Sequence, residues 1–194
     1  PPRATLWRRD STLMLRTRVL SAAVFVPLIL LIAIIGGFVS DLFFAAMLII
    51  GALELCRLLK TMGYFVSNAY IIGGVASLML HRMVFPNFEY SDFLLVILIM
   101  VAAFISLRRY ERGDVQASLT FALHLSATLY LGWLGAYFIS LAHLPEGRWW
   151  LIVTMVLVWI ADTGAYFVGK PYGKHKITPR LSPNKSWEGY FGGI

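Results

Sequence analysis

The chain has 194 residues, 59% of them hydrophobic and 14% charged, with a mean hydropathy of +0.73. A water-soluble domain of this length needs far more charge to cover its surface, so a soluble class is excluded. The apolar runs are continuous rather than alternating, which excludes a β-barrel and leaves an all-α, polytopic transmembrane helical bundle. The net charge of +7 sits in clusters of Arg and Lys, which fits cytoplasmic loops and anionic partners such as lipid headgroups or nucleotides. No long basic segment stands outside the apolar runs, which argues against nucleic acid. The single cysteine, Cys56, excludes an intrachain disulfide framework and a multi-cysteine metal site.

Residues 1–18 form a basic cytoplasmic segment. Residues 19–39 follow as about 21 uncharged positions, too long for a signal-peptide core and long enough to span, so they read as an uncleaved first helix. A second span is expected at 42–59. Glu54 and Arg57, three residues apart near its inner end, read as an interfacial ion pair. The third span is drawn at 64–80. The fourth, at 93–107, is short and needs flanking residues to lengthen it. Together 19–107 make the N-terminal membrane helices, and 108–194 the catalytic-side region. A fifth span lies within 116–142, longer than one straight crossing requires. Its His124 reads as a neutral histidine hydrogen-bonded within the bundle through Thr120 or Thr128. The sixth span is 149–168, and 187–194 opens a seventh.

The charges test this layout. With the N-terminus in the cytoplasm, the inner segments hold Arg3, Arg8, Arg9, Arg16 and Arg18, then Arg57 and Lys60, then Arg108, Arg109 and Arg112, then the cations after residue 169. The outer loops hold only Arg82 and Arg148. Every inner segment is more basic than every outer one, as the positive-inside rule requires.

The stretch VLVWIADTGAYFVGK carries a carboxylate, Asp162, inside the sixth span. It falls about six residues, or ~9 Å, from the expected inner end. A membrane-buried acid costs at least ~2.5–3.5 kcal/mol on insertion scales and is a functional candidate by default. The competing reading is an acid that hydrogen-bonds neighbouring helices as packing glue. Tyr166 and Gly169 fall on its helical face, four and seven residues on.

Between this helix and the seventh lies a basic loop stiffened by Pro171, Pro179 and Pro183. A second acid, Glu188, follows it. Carboxylates and lysines in that order suit a polyphosphate carried by Mg²⁺, which takes one or two carboxylates plus phosphate oxygens while the cations offset the remaining charge. His175 is a further phosphate contact. No Walker P-loop spacing is present.

The frame Asp162-x-Gly-Ala-Tyr-x-x-Gly-Lys, Gly173-Lys174-His175-Lys176, Ser182-Pro183-x-Lys185-Ser186-x-Glu188-Gly189, then Gly192, resembles the bacterial phosphatidate cytidylyltransferases (CDP-diacylglycerol synthases). The resemblance implies a bacterial inner-membrane enzyme of phospholipid biosynthesis that converts CTP and phosphatidate to CDP-diacylglycerol and pyrophosphate with Mg²⁺. It implies Asp162 and Glu188 as metal-site carboxylates and Lys185 beside them as a catalytic cation. Lys170, Lys174, His175, Lys176, Ser182 and Ser186 are then phosphate contacts. Anionic membrane lipid is a further partner, and a homo-oligomer is compatible with the sequence. The family's signature of Ser-x-x-Lys-Arg, Lys-Asp and Asp-Arg elements is not among these 194 residues, so this stretch alone is expected to be inactive. Two other readings stay open: a CTP-dependent polyprenol or lipid kinase, and a non-enzymatic ion transporter using Asp162.

Overall fold

A computed structural model describes residues 23–194. The basic segment 1–18 and the first residues of the expected first span lie outside that range. The chain divides into two compact units, the first ending at Arg148 and the second running Trp149–Ile194.

Among the described residues, the regular structure of the first unit is helical. It comprises α1 (Ala23–Ile35), α2 (Gly37–Thr61), α3 (Asn68–Val84), α4 (Ser91–Tyr110), α5 (Ala117–Ala127), a π-helical turn (Thr128–Leu134) and α6 (Tyr137–Ala142). The last three run on as one 26-residue apolar element, which accounts for the excess length read between 116 and 142. The second unit contains most of α7 (Gly147–Tyr172), the strands β1 (Lys176–Thr178) and β2 (Ser182–Ser186), and α8 (Trp187–Gly192). Among the described residues, four elements are long and apolar enough to cross a membrane: α2, α4, the α5–π–α6 element and α7. With this composition the chain is an integral membrane protein.

Several boundaries differ from expectation, each for a local reason. The first two spans are divided at Gly36, not at 40–41, because Gly36 and Gly37 adopt left-handed φ angles of 66° and 57° that end α1. Ser40 and Asp41, expected in an outer loop, therefore lie inside α2 and are buried. The third span starts four residues late. Ser67 caps α3, its Oγ accepting the Tyr70 N–H at 3.3 Å, so the apolar residues before it are not helical. The same helix continues past 80 and takes Arg82 with it. That guanidinium is 1% exposed and stacks 3.1 Å from the Phe88 ring centroid, while Nη1 donates to Ser91 Oγ at 2.9 Å. The aromatic cover replaces part of the hydration lost. α4 extends the expected fourth span at both ends, to Ser91 and Tyr110.

Lipid tails are as apolar as leucine, so these helices associate through close packing and hydrogen bonds rather than through a hydrophobic drive. Ile71, Val75, Leu78 and Met79 of α3 form the centre, packed with Ala52 and Cys56 of α2 and Ala136 and Ile139 of the α5–π–α6 element. Cys56 is a fully buried packing residue. His124 is buried in the same unit. Its Nδ1–H donates to the Thr120 carbonyl at 2.7 Å, and its Nε2 accepts the Ser67 backbone N–H at 2.9 Å. One bond needs a donor and the other an acceptor, so the ring is held as a single neutral tautomer. The expected Thr120 link is present, and the second partner is Ser67 rather than Thr128. At the other end of the helices, Arg109 pairs with Asp114 at 2.6 Å and lies over Phe65. The Asp114 carboxyl is held below its ordinary range, first by the Gln116 backbone N–H and then by Arg109.

Candidate functional site

The second unit is an antiparallel pair of helices joined by a hairpin. One stripe of α7 faces α8: Ala161, Gly164, Ala165, Val168 and Gly169. A Cβ on Gly169 would stand 3.1 Å from Gly189 Cα, and one on Gly193 would stand 2.7 Å from the Ala161 carbonyl oxygen. Gly164 opposes the Gly192 carbonyl, and Gly192 opposes Val168. The two backbones touch because neither carries a side chain at the crossing.

Asp162 is one position off that stripe, about 100° around the helix. It is exposed, and among the described residues its carboxylate makes no hydrogen bond or ion pair. Tyr166 shares this open side and its hydroxyl accepts from Lys170 Nζ at 3.0 Å. Gly169 does not; it is turned to α8. A shallow apolar groove of about 410 Å³ runs along another side of α7, lined by Val156, Trp159, Ile160, Thr163, Gly164 and Phe167; Asp162 is not part of its lining.

α7 runs four residues beyond its expected end, to Tyr172, with Pro171 in its last turn. Lys170 is thus a helical residue. Asp162 lies ten residues, about 15 Å, from the helix terminus rather than ~9 Å. The chain beyond is not an irregular loop. β1 and β2 pair antiparallel, with Lys176 opposite Ser186 and Thr178 opposite Ser182, and an irregularity between these pairs. Pro183 falls in it; a residue without an N–H cannot continue the ladder there. Trp187 N–H donates to the His175 carbonyl at 2.9 Å and extends the hairpin to the start of α8.

Glu188 closes this arrangement. Both of its oxygens accept from the His175 backbone N–H at 3.2 Å, and Oε1 accepts from His175 Nδ1 at 2.5 Å. Its carboxyl is lowered to about 2, first by its own backbone N–H at the opening of α8 and then by the His175 ring. Ser186 caps α8, its Oγ accepting the Gly189 N–H at 3.3 Å, and is 3% exposed. Lys170, Lys174, Lys176, Arg180 and Lys185 are all exposed, and among the described residues none pairs with a carboxylate.

Apart from Lys170, which lies in the last turns of α7, the expected site residues separate into three groups. His175, Ser186 and Glu188 hold the hairpin to α8. Lys174, Lys176 and Lys185 are open cations on or beside the hairpin, with Ser182 half-buried at the start of β2. Asp162 stands alone, seven residues or about 10 Å along α7 from the Gly169–Gly189 crossing. Among the described residues no three His, Cys, Asp or Glu side chains gather as a metal cage. Charge and hydropathy along the chain do not signal the hairpin or the Glu188–His175 bond. Ser186-Trp187-Glu188, a helix start with an acid in its first turn, is the signal that points to them.

A model described as the cytidylyltransferase family matches residues 16–194. The chain is 35% identical over 185 residues to the phosphatidate cytidylyltransferase of Pseudomonas aeruginosa, covering 93% of this chain and 67% of that one. It is 30% identical over 190 residues to the Bacillus subtilis phosphatidate cytidylyltransferase, covering 92% and 65%. Over 49 residues, 25% of this chain and 17% of the other, it is 51% identical to the Haemophilus influenzae phosphatidate cytidylyltransferase. The chain spans about two thirds of the length of the first two relatives. No solved structure matches it.

Proposed function

The chain belongs to the cytidylyltransferase family, and we propose that it serves the transfer of the cytidylyl group of CTP to phosphatidate at the cytoplasmic face of a bacterial inner membrane. A phosphate oxygen of phosphatidate attacks the α-phosphorus of CTP, the bond to the β-phosphate oxygen breaks, and CDP-diacylglycerol and pyrophosphate leave. Phosphatidate is already ionised near neutral pH, so no strong base is needed. The barrier is the approach of one anion to another, which cations must screen while holding the two in line.

The observation that carries this reading is the presence, within one unit, of a carboxylate in an apolar helix and five cations, none of which has an ion-pair partner among the described residues. The lysines near the hairpin suit a triphosphate from the aqueous side. The apolar groove along α7 suits an acyl chain from the lipid side. An enzyme joining a soluble nucleotide to a lipid needs both.

Mg²⁺ fits Asp162, a hard oxygen donor with no competing partner among the described residues. Bound there, it would neutralise phosphate charge. Glu188 fits less readily, since both its oxygens are already held by His175; it joins a metal only by giving up that contact. Lys174, Lys176 and Lys185 bind phosphate, and Ser182 supports them. Ser186 acts through the cap it forms. An inward N-terminus, which the charge alternation supports, puts the hairpin on the cytoplasmic side.

The test is Asp162→Asn in the full-length, membrane-inserted protein, assayed for CDP-diacylglycerol at saturating Mg²⁺. Turnover should fall roughly hundredfold, the scale for losing a group that stabilises transition-state charge. Near-normal turnover sinks the assignment.

A further inference from the structure

The first unit holds a second buried carboxylate, which the proposed chemistry does not use. Asp41 in α2 is 3% exposed. Its Oδ2 lies 3.5 Å from His143 Nε2, at the end of α6. Its Oδ1 has no hydrogen-bond partner among the described residues, and neither have the hydroxyls of Ser40 and Ser140. Both serines are buried, one beside Asp41 in sequence and the other one helical turn before His143.

Three features of this cluster do not fit a packing role. A helical serine or threonine normally returns its hydroxyl to a carbonyl in the preceding turn. Thr154, Thr163 and Ser77 do so in this chain, at 2.6–2.9 Å. Ser40 and Ser140 do not, a state shared elsewhere in the unit by Ser106 and Thr128, so the hydroxyls support the reading only together with the two features that follow. Next, the Asp41–His143 separation of 3.5 Å is long for a hydrogen bond between charged partners, which centres near 2.7–2.9 Å. It matches the edge of a tetrahedron about Zn²⁺, about 3.4 Å for metal–ligand distances near 2.0–2.1 Å. Finally, His143 Nδ1–H donates to the Ile139 carbonyl at 2.9 Å. That bond leaves Nε2, the nitrogen facing Asp41, as the one with a free lone pair. A backbone carbonyl orienting the far nitrogen is the usual support of a metal-binding histidine.

We propose that Asp41 and His143 bind a divalent transition-metal ion of the zinc class, with the Ser140 hydroxyl or water completing the coordination. The ion ties α2 to α6 at the end of the first unit opposite Lys60. His143 is about one-third exposed and provides the way in. With two strong protein ligands the site is weaker than a four-ligand structural zinc site and keeps open positions.

The full chain, purified in detergent with its affinity tag removed and washed with chelator, is titrated with Zn²⁺ by calorimetry and with Co²⁺ by visible absorption. One saturable site per chain is expected, with the intense absorption of four-coordinate Co²⁺. Asp41→Asn and His143→Gln should each weaken it more than tenfold, and Asp162→Asn should leave it unchanged. No saturable binding, or binding that survives Asp41→Asn and disappears in Glu188→Gln, overturns the proposal; the latter puts the ion on the His175–Glu188 pair. If the variants fail to fold, the wild type answers alone. Saturating Zn²⁺ should protect His143 from diethyl pyrocarbonate, read by mass spectrometry, and unchanged labelling overturns the assignment.

Discussion

Gly169 of α7 and Gly189 of α8 meet without a side chain between them: a Cβ on Gly169 would stand 3.1 Å from Gly189 Cα, and one on Gly189 would stand 3.0 Å from Gly169 Cα. The contact sets how the hairpin leaves the membrane helix. It also turns Asp162, one position off the glycine stripe, to the open side of α7. The glycines thus position the acid indirectly, by deciding which face of the helix is spent on packing.

Gly189→Val should therefore push α8 off α7. Overpacking a close contact costs ~1–3 kcal/mol, and here the opposing atoms are backbone and cannot move aside. Cysteine pairs across the two helices, compared by cross-linking yield with and without Gly189→Val, read the separation. An unchanged yield would mean that the crossing does not depend on glycine.

The Glu188–His175 bond has a defined pH window. The carboxyl is lowered to about 2 in the folded chain from an ordinary 4.5. A depressed acid stabilises the fold fully above its unfolded value and loses that contribution as pH falls through its folded value. The hairpin should hold from neutral pH down to about 4.5 and loosen between there and about 2. The ¹³C shift of the Glu188 carboxyl, followed against pH in labelled protein, measures this. A midpoint above 4 contradicts it. Glu188→Gln should loosen the hairpin at every pH.

His124→Ala removes the acceptor for the Ser67 N–H and the donor for the Thr120 carbonyl. Leaving a buried polar group unpaired costs about 1–3 kcal/mol, so thermal unfolding in detergent should move to lower temperature. Because the ring is neutral and fully bonded, turnover per folded molecule of the full-length protein should be retained. Lost turnover with unchanged melting would assign His124 a role in the reaction.

Lys174→Gln, Lys176→Gln and Lys185→Gln test the nucleotide side. Each lysine that donates to a phosphate should be worth about 1.5 kcal/mol, or tenfold in affinity. The effect should appear as a raised KM for CTP and a weaker dependence on salt. A variant with unchanged KM and salt response places its lysine outside the phosphate path.

The helices were legible where their signal is continuous. An apolar run long enough to span a bilayer leaves no alternative to a helix, since backbone groups in lipid must be satisfied within the segment. The long composite element between 116 and 142 and the lengthening of α4 follow from that rule. Their ends follow different physics. Ser67 and Gly36 stop or start helices through single-residue geometry that hydropathy does not register, and Arg82 enters the unit because Phe88 covers it. The hairpin was not legible, because three prolines read as stiffness rather than as strand pairing.

For the candidate site the division is similar. Residue type and order were sufficient to single out Asp162, the lysines and Glu188, because charge in an apolar chain is costly and conspicuous. Which of them face one another was decided only by the tertiary structure. Glycine-to-glycine contact consumes one face of α7, His175 takes both oxygens of Glu188, and a residue read as lying in an outer loop, Asp41, is brought beside His143. Sequence lists the groups that must be satisfied; which partner satisfies each depends on backbone separations set by packing, and those are encoded in no single stretch of the chain.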